Sequence, residues 1–129
     1  MNRIDYDAIL HTILHLYIDG YNEHDAKKLG SAFHKDAWIF LFDKEGNFRN
    51  WHLDDETFAM WAKDEGDDPI QPRIISVSQM GDIANVQLAF GDRWLDCHNL
   101  ARIDGVWKIT NKTATYSGLA SPPWSPKGE

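Results

Sequence analysis

A chain of 129 residues is the size of one domain, and a composition of 43% hydrophobic and 12% aromatic residues can fill one real core. The formal net charge of −7 argues against a nucleic-acid backbone or an anionic membrane as the main partner. The single cysteine, Cys97, rules out an internal disulfide and fits a reducing compartment.

The opening segment MNRIDYDAIL carries acids and no long apolar run. Neither a signal peptide nor a membrane span is expected there, and the expectation is a soluble, cytoplasmic protein. From Tyr6 to Tyr21 apolar residues recur at Ile9, Ile13, Leu16, Tyr17 and Tyr21, which predicts a helix with one buried stripe. His11, His15 and Asp19 fall on its opposite face. EHDAKKLG predicts a short second helix, capped by Asp25 and ended by Gly30. AWIFLF is a β-prone run followed by a turn signal at Glu45-Gly46. LDDETFAMWAKDEG predicts a third helix, capped by Asp54 or Asp55 and ended at Gly66, with Phe58 and Trp61 on its buried side. GDDP reads as a loop.

Four strands in two hairpins follow. PRIISVSQM and IANVQLAF flank Gly81-Asp82, while RWLDCHNLARI and VWKITNKTATY flank Asp104-Gly105. The tail GLASPPWSPKGE is too rich in proline to add a central strand. The reading is one domain over residues 1–117 and a Pro-rich tail over 118–129. Its order of helices and strands is α+β, with helices on one face of a mostly antiparallel sheet.

A two-residue turn fixes the register of a hairpin. Around Gly81-Asp82 it predicts Val77 opposite Val86 and Ile75 opposite Leu88. Around Asp104-Gly105 it predicts Arg102 opposite Trp107, Leu100 opposite Ile109, His98 opposite Asn111 and Asp96 opposite Thr113. The face with Trp107, Leu100 and Ile109 is the core face. The other face pairs Cys97 with Lys112 and Asn99 with Thr110 and suits solvent or a partner subunit. Asp96, His98, Asn111 and Thr113 thus form a polar cluster that continues the core face away from the turn. A buried charge costs several kcal/mol unless it is paired, so such a cluster either pairs internally or lines a cavity. Residues two apart on a strand lie about 6.6 Å apart, close enough for both side chains to reach one ligand.

The stretches YIDGYNEHDAKKLGSAFHKDAWIFLFD and LDCHNLARIDGVWKITNK carry a family resemblance. Tyr17, Gly20, Asp25, Phe33, His34, Asp36 and Ala37, with Asp96 and the run from Asp104 to Ile109, resemble the nuclear transport factor 2-like superfamily. The similarity is to its lumazine-binding branch, beside the polyketide-cyclase-like proteins, and spans roughly residues 6 to 116. The resemblance implies a cystatin-like cone: a curved, mixed, mostly antiparallel sheet wrapped around a long N-terminal helix, with two shorter helices and a pocket at the open end. It also implies pairing through the outer sheet face, here with Ser76, Ser78, Gln87, Asn99 and Cys97. The superfamily holds isomerases, cyclases and dehydratases beside binding proteins, so fold alone does not select among them. The Asp/Tyr set of the steroid isomerases and the Asp-Arg-Asp set of the epoxide hydrolases have no residue-by-residue match here.

Each candidate has two readings. Asp96 with His98 is an acid-base pair in a pocket, or a satisfied structural pair with Asn111 and Thr113. Tyr17 donates its hydroxyl to a ligand, or is a core tyrosine with an internal partner. Trp38 and Phe40, with Phe42, Phe58 and Trp61, wall a pocket for a flat ligand, or are plain core. His11 and His15 have metal-binding spacing but nothing to complete a set, so no metal and no cofactor is expected. The function expected is a cofactor-free lyase or isomerase, of dehydratase or cyclase type. Asp96, His98 and Tyr17 would be catalytic, and Trp38, Phe40, Phe58, Trp61, Asn111 and Thr113 would bind a small aromatic or carbonyl-bearing molecule. The alternative is a non-catalytic dimeric binding module.

Overall fold

The computed structural model describes residues 1–63 and 69–117. The tail from 118 and Gly66, expected to end the third helix, lie outside the described residues. Helix α1 (Arg3–Leu10) runs into a π-helical segment (His11–Ile18) and then α2 (Asp19–Asn22), so the expected long N-terminal helix is continuous with altered winding. The winding follows from the spacing of the buried residues. Ile9, Ile13 and Tyr17 are each four apart and at most 1% exposed. Four α-helical residues overshoot one turn by about 40°, so such a row drifts around the helix. The looser i→i+5 turn offsets that drift and keeps all three on the sheet side.

Helix α3 (Ala26–Ser31) is capped by Asp25, whose side chain accepts from the Lys28 amide. Gly30 lies inside α3 rather than past its end, because a Cβ there would stand 3.0 Å from the Phe58 ring. The missing Cβ lets α3 pack closely on α4 (Asp55–Ala62), which Asp54 caps.

Among the described residues six strands form one mixed sheet in the order β2-β1-β6-β5-β4-β3. They are β1 (Phe33–Phe42), β2 (Phe48–His52), β3 (Pro72–Met80), β4 (Ile83–Phe90), β5 (Trp94–Ile103) and β6 (Val106–Tyr116). Among these described strands only the β1–β6 pair is parallel. Register breaks in β1–β6, β3–β4 and β5–β6 mark bulges, which bend strands and curve a sheet. The curved face closes over the N-terminal helix, and Val86, Leu88, Leu100 and Ile109 form the buried centre.

The bulges correct two expected registers. In the first hairpin Val77 faces Val86, but Ile74 rather than Ile75 faces Leu88, and Ile75 is extruded and exposed. In the second, Arg102 faces Trp107 and Leu100 faces Ile109 as expected. Beyond that pair β6 carries one extra residue. His98 therefore faces Lys112, not Asn111, and Asp96 faces Ala114, not Thr113. The side chains of β5 keep their alternation, so Asp96 and His98 stay on the inner face, 3% and 0% exposed. Those of β6 reverse: Lys112 turns inward and Asn111 and Thr113 turn outward.

Candidate functional site

The inward turn of Lys112 completes a buried cluster with Tyr17, Asp96 and His98. Tyr17 comes from the π-helical segment, Asp96 and His98 from β5 and Lys112 from β6. The Lys112 Nζ donates to the Tyr17 hydroxyl at 2.6 Å. That hydroxyl donates to Asp96 Oδ2 at 3.0 Å. His98 Nε2 lies 3.2 Å from the same oxygen and Lys112 Nζ 3.5 Å from it. Three donors thus converge on Oδ2, while Asp96 Oδ1 and His98 Nδ1 find no hydrogen-bond partner among the described residues. The Lys112 ammonium also sits over the Tyr17 and Trp61 rings, 5.0 and 4.7 Å from their centroids.

Burial sets the protonation of these groups. It holds His98 below the usual histidine range, against the raising effect of Asp96, so the imidazole is neutral. It holds the Lys112 amine below the usual lysine range, with Asp96 pulling the other way. It pushes Tyr17 well up, reinforced by the Asp96 charge, so the phenol keeps its proton as a donor. For Asp96, burial is the largest influence and acts upward. The Lys112 charge and the hydrogen bonds from His98 and Tyr17 together outweigh it and leave the carboxyl below its ordinary value.

A cavity of about 170 Å³ lies between the helical layer and the sheet. Tyr17, Lys112, Trp61, Phe90, Trp94 and Ile39 contribute to its wall. Lys44 and Arg93 add positive charge, and no carboxylate stands among its described lining residues. Asp96 and His98 are not on this wall; they meet the cavity only through Tyr17 and Lys112.

Several expected ligand contacts are placed elsewhere. Trp38 is 42% exposed on the outer sheet face, because the inner face of β1 is Ala37, Ile39 and Leu41. Phe40 shares the outer face and stacks with Trp38 and Phe48. Phe58 is buried against Phe33 and is not on the cavity wall, whereas Trp61 is. Asn111 bonds to Asn99 on the outer face, and Thr113 is exposed there. Lys112 is the residue of this cluster that the sequence reading missed. Its signal is a change of parity in β6: Trp107 and Ile109 are odd-numbered core residues, and Ala114 is an even-numbered one. His11 and His15 pack ring on ring at 5.4 Å, and among the described residues no group of three possible metal ligands occurs.

The chain matches the family described as "Putative lumazine-binding" over residues 5–115. No curated protein matches it in sequence. Among solved structures it is similar to an NTF2-like protein of unknown function from Shewanella baltica OS155, with TM-score 0.76 and 21% identity over 90% of this chain and 97% of that one. A second NTF2-like protein of unknown function, from Methylobacillus flagellatus KT, gives TM-score 0.76 and 23% identity over 90% and 94% of the two chains. A ketosteroid isomerase-like protein from Erwinia carotovora atroseptica SCRI1043 gives TM-score 0.65 and 13% identity over 89% and 98%. At these identities the likeness shows the fold alone. Among the described residues no helix is long and apolar enough to cross a membrane.

Proposed function

Because the chain belongs to the "Putative lumazine-binding" family of the nuclear transport factor 2-like superfamily, we propose that its cavity takes a small, flat, carbonyl-bearing molecule and moves a proton on it, as a cofactor-free lyase or isomerase of dehydratase or cyclase type. The observation that carries this is the buried Tyr17–Asp96–His98–Lys112 cluster, which reaches the cavity through two proton-bearing groups side by side. Aromatic walls suit a flat ring, and about 170 Å³ is well below the roughly 300 to 1,000 Å³ of drug-sized sites, so the ligand is small. Tyr17 and Lys112 are placed to stabilise an oxyanion that develops on a carbonyl oxygen. The Lys112 amine, with its basicity lowered by burial, is the group at the wall able to exchange a proton. Asp96 balances the charge of Lys112. His98 steadies Asp96 and acts through it, because it is sealed from the cavity.

A non-catalytic binding module is the second reading, favoured by the same sealing of Asp96 and His98. Pairing of two chains through the outer sheet face belongs to either reading and is supported by Trp38, Phe42 and Phe48 exposed on that face. A cytoplasmic location fits the lone free Cys97.

Solvent exchange separates the readings. Phenylacetone in D2O is followed by NMR with catalytic amounts of the protein. Deuterium entering the benzylic position faster with the parent chain than with a folded Lys112→Met variant supports proton transfer. Saturable binding without exchange favours the binding module. Equal exchange with both proteins overturns the assignment of Lys112.

A further inference from the structure

The geometry of Lys112 points to a covalent role, which rests on the reading that the cavity receives a carbonyl compound. We propose that the Lys112 amine captures the carbonyl carbon of an aromatic aldehyde or ketone in this cavity as an iminium.

Three observations carry the proposal. The first is position. A lysine side chain is ordinarily long and mobile, yet here Nζ is held by the Tyr17 hydroxyl at 2.6 Å and by the faces of Tyr17 and Trp61, on a cavity wall. Such fixing replaces much of the entropy cost of bringing two reactants together. The second is the loose tether to Asp96. Of the three donors at Oδ2, Lys112 is the most distant, at 3.5 Å against 3.0 and 3.2 Å. The amine can therefore advance toward a carbonyl while Oδ2 keeps its two closer partners. The third is desolvation among aromatic rings, the setting in which lysine amines become nucleophilic.

The charge balance favours the step. One ammonium proton passes to the Tyr17–Asp96 pair and frees the nitrogen lone pair. The lone pair forms the C–N bond as the C=O π electrons move to oxygen. That oxygen collects the first proton and a second one from nitrogen, and the C–O bond breaks as water leaves. The last N–H proton remains on the C=N nitrogen. Ammonium plus carbonyl becomes iminium plus water with no change in net charge. The Asp96 carboxylate therefore balances a buried cation before and after, and a charge is never left unpaired. The iminium withdraws electrons from the neighbouring carbon, which eases the proton loss that a lyase or isomerase requires.

The test is reductive trapping. The full chain is incubated with benzaldehyde and cyanoborohydride, and adducts are measured by intact mass and located by peptide mapping. The expected result is one principal adduct on Lys112, formed at least about tenfold faster than on any other lysine, because this amine is held beside the bound carbonyl. It should vanish in Lys112→Arg, which keeps the positive charge without a nucleophilic amine. NMR titration with benzaldehyde is run in parallel without reductant. Adducts confined to other lysines, with saturable binding in the cavity, overturn the covalent step and leave the cavity reading standing. Neither adduct at Lys112 nor cavity binding overturns both.

Discussion

Replacing Asp96 by Asn removes one negative charge and almost no volume. The side-chain amide oxygen of the Asp96→Asn variant can still accept from Tyr17, so shape and one hydrogen bond survive. The Lys112 ammonium, 7% exposed, loses its counter-ion. Breaking a buried ion pair from one side costs about 3 to 5 kcal/mol. For a domain of this length each kcal/mol is worth roughly 3 to 5 °C in Tm, so the expected fall is about 9 to 25 °C. Lys112 can limit the loss by giving up its proton. Its folded pKa is already below the unfolded one, so stability from this group rises with pH once the folded amine has lost its proton while the unfolded lysine still holds one, and levels off when both are neutral. The deficit of the variant should therefore shrink from neutral pH toward pH 10. Adding Lys112→Met removes the stranded cation and should return much of the lost stability, a coupling that a double-mutant cycle reads directly. Thermal and urea melts of the two single variants and the double variant suffice. An Asp96→Asn variant as stable as the parent, or a double variant less stable than either single one, would refute the reasoning.

Three further outcomes follow from the same geometry. Tyr17→Phe deletes the bridge between Lys112 and Asp96 and should cost about 1 to 3 kcal/mol in a urea melt while weakening retention of a cavity ligand; no loss of either would detach Tyr17 from the cluster. His98, with a folded pKa below its unfolded value of 6.5, contributes stability that is complete above that pH and falls away as the unfolded ring takes up a proton; His98→Gln should flatten the stability-pH curve from pH 6.5 downward, and an unchanged slope would mean the ring titrates alike in both states. Trp38→Glu with Phe42→Glu on the outer face should convert a dimer into a monomer in light scattering while leaving the fold intact by circular dichroism; a parent that is already monomeric rejects the pairing.

The sequence made the hairpins legible because two-residue turns and alternating faces are local devices. They placed Asp96, His98 and Leu100 on one inner face, and the helical spacing placed Tyr17 beside them. A β-bulge is not a turn residue, and it shifts every later partner by one. That single insertion hid Lys112, which with Tyr17 joins the cluster to the cavity, and drew Asn111 and Thr113 into the expected site. The strand AWIFLF failed for another reason. Both its faces are apolar, so alternation cannot say which is inside, and the smaller set Ala37, Ile39 and Leu41 packs under the helix. The larger aromatic set stays outside, on the face expected to pair.

The central claim is that Lys112 and Tyr17 meet a ligand in the cavity, and a crystal structure with a bound aromatic ketone tests it most directly. With acetophenone soaked into crystals, its ring should lie against Trp61, Phe90 and Trp94. Its carbonyl group should lie within about 3.2 Å of Lys112 Nζ or the Tyr17 hydroxyl, as a hydrogen bond or as a carbon bonded to nitrogen. Acetophenone found only in the outer groove beside Phe42, Ile75 and Leu95, with water alone in the cavity, would contradict it.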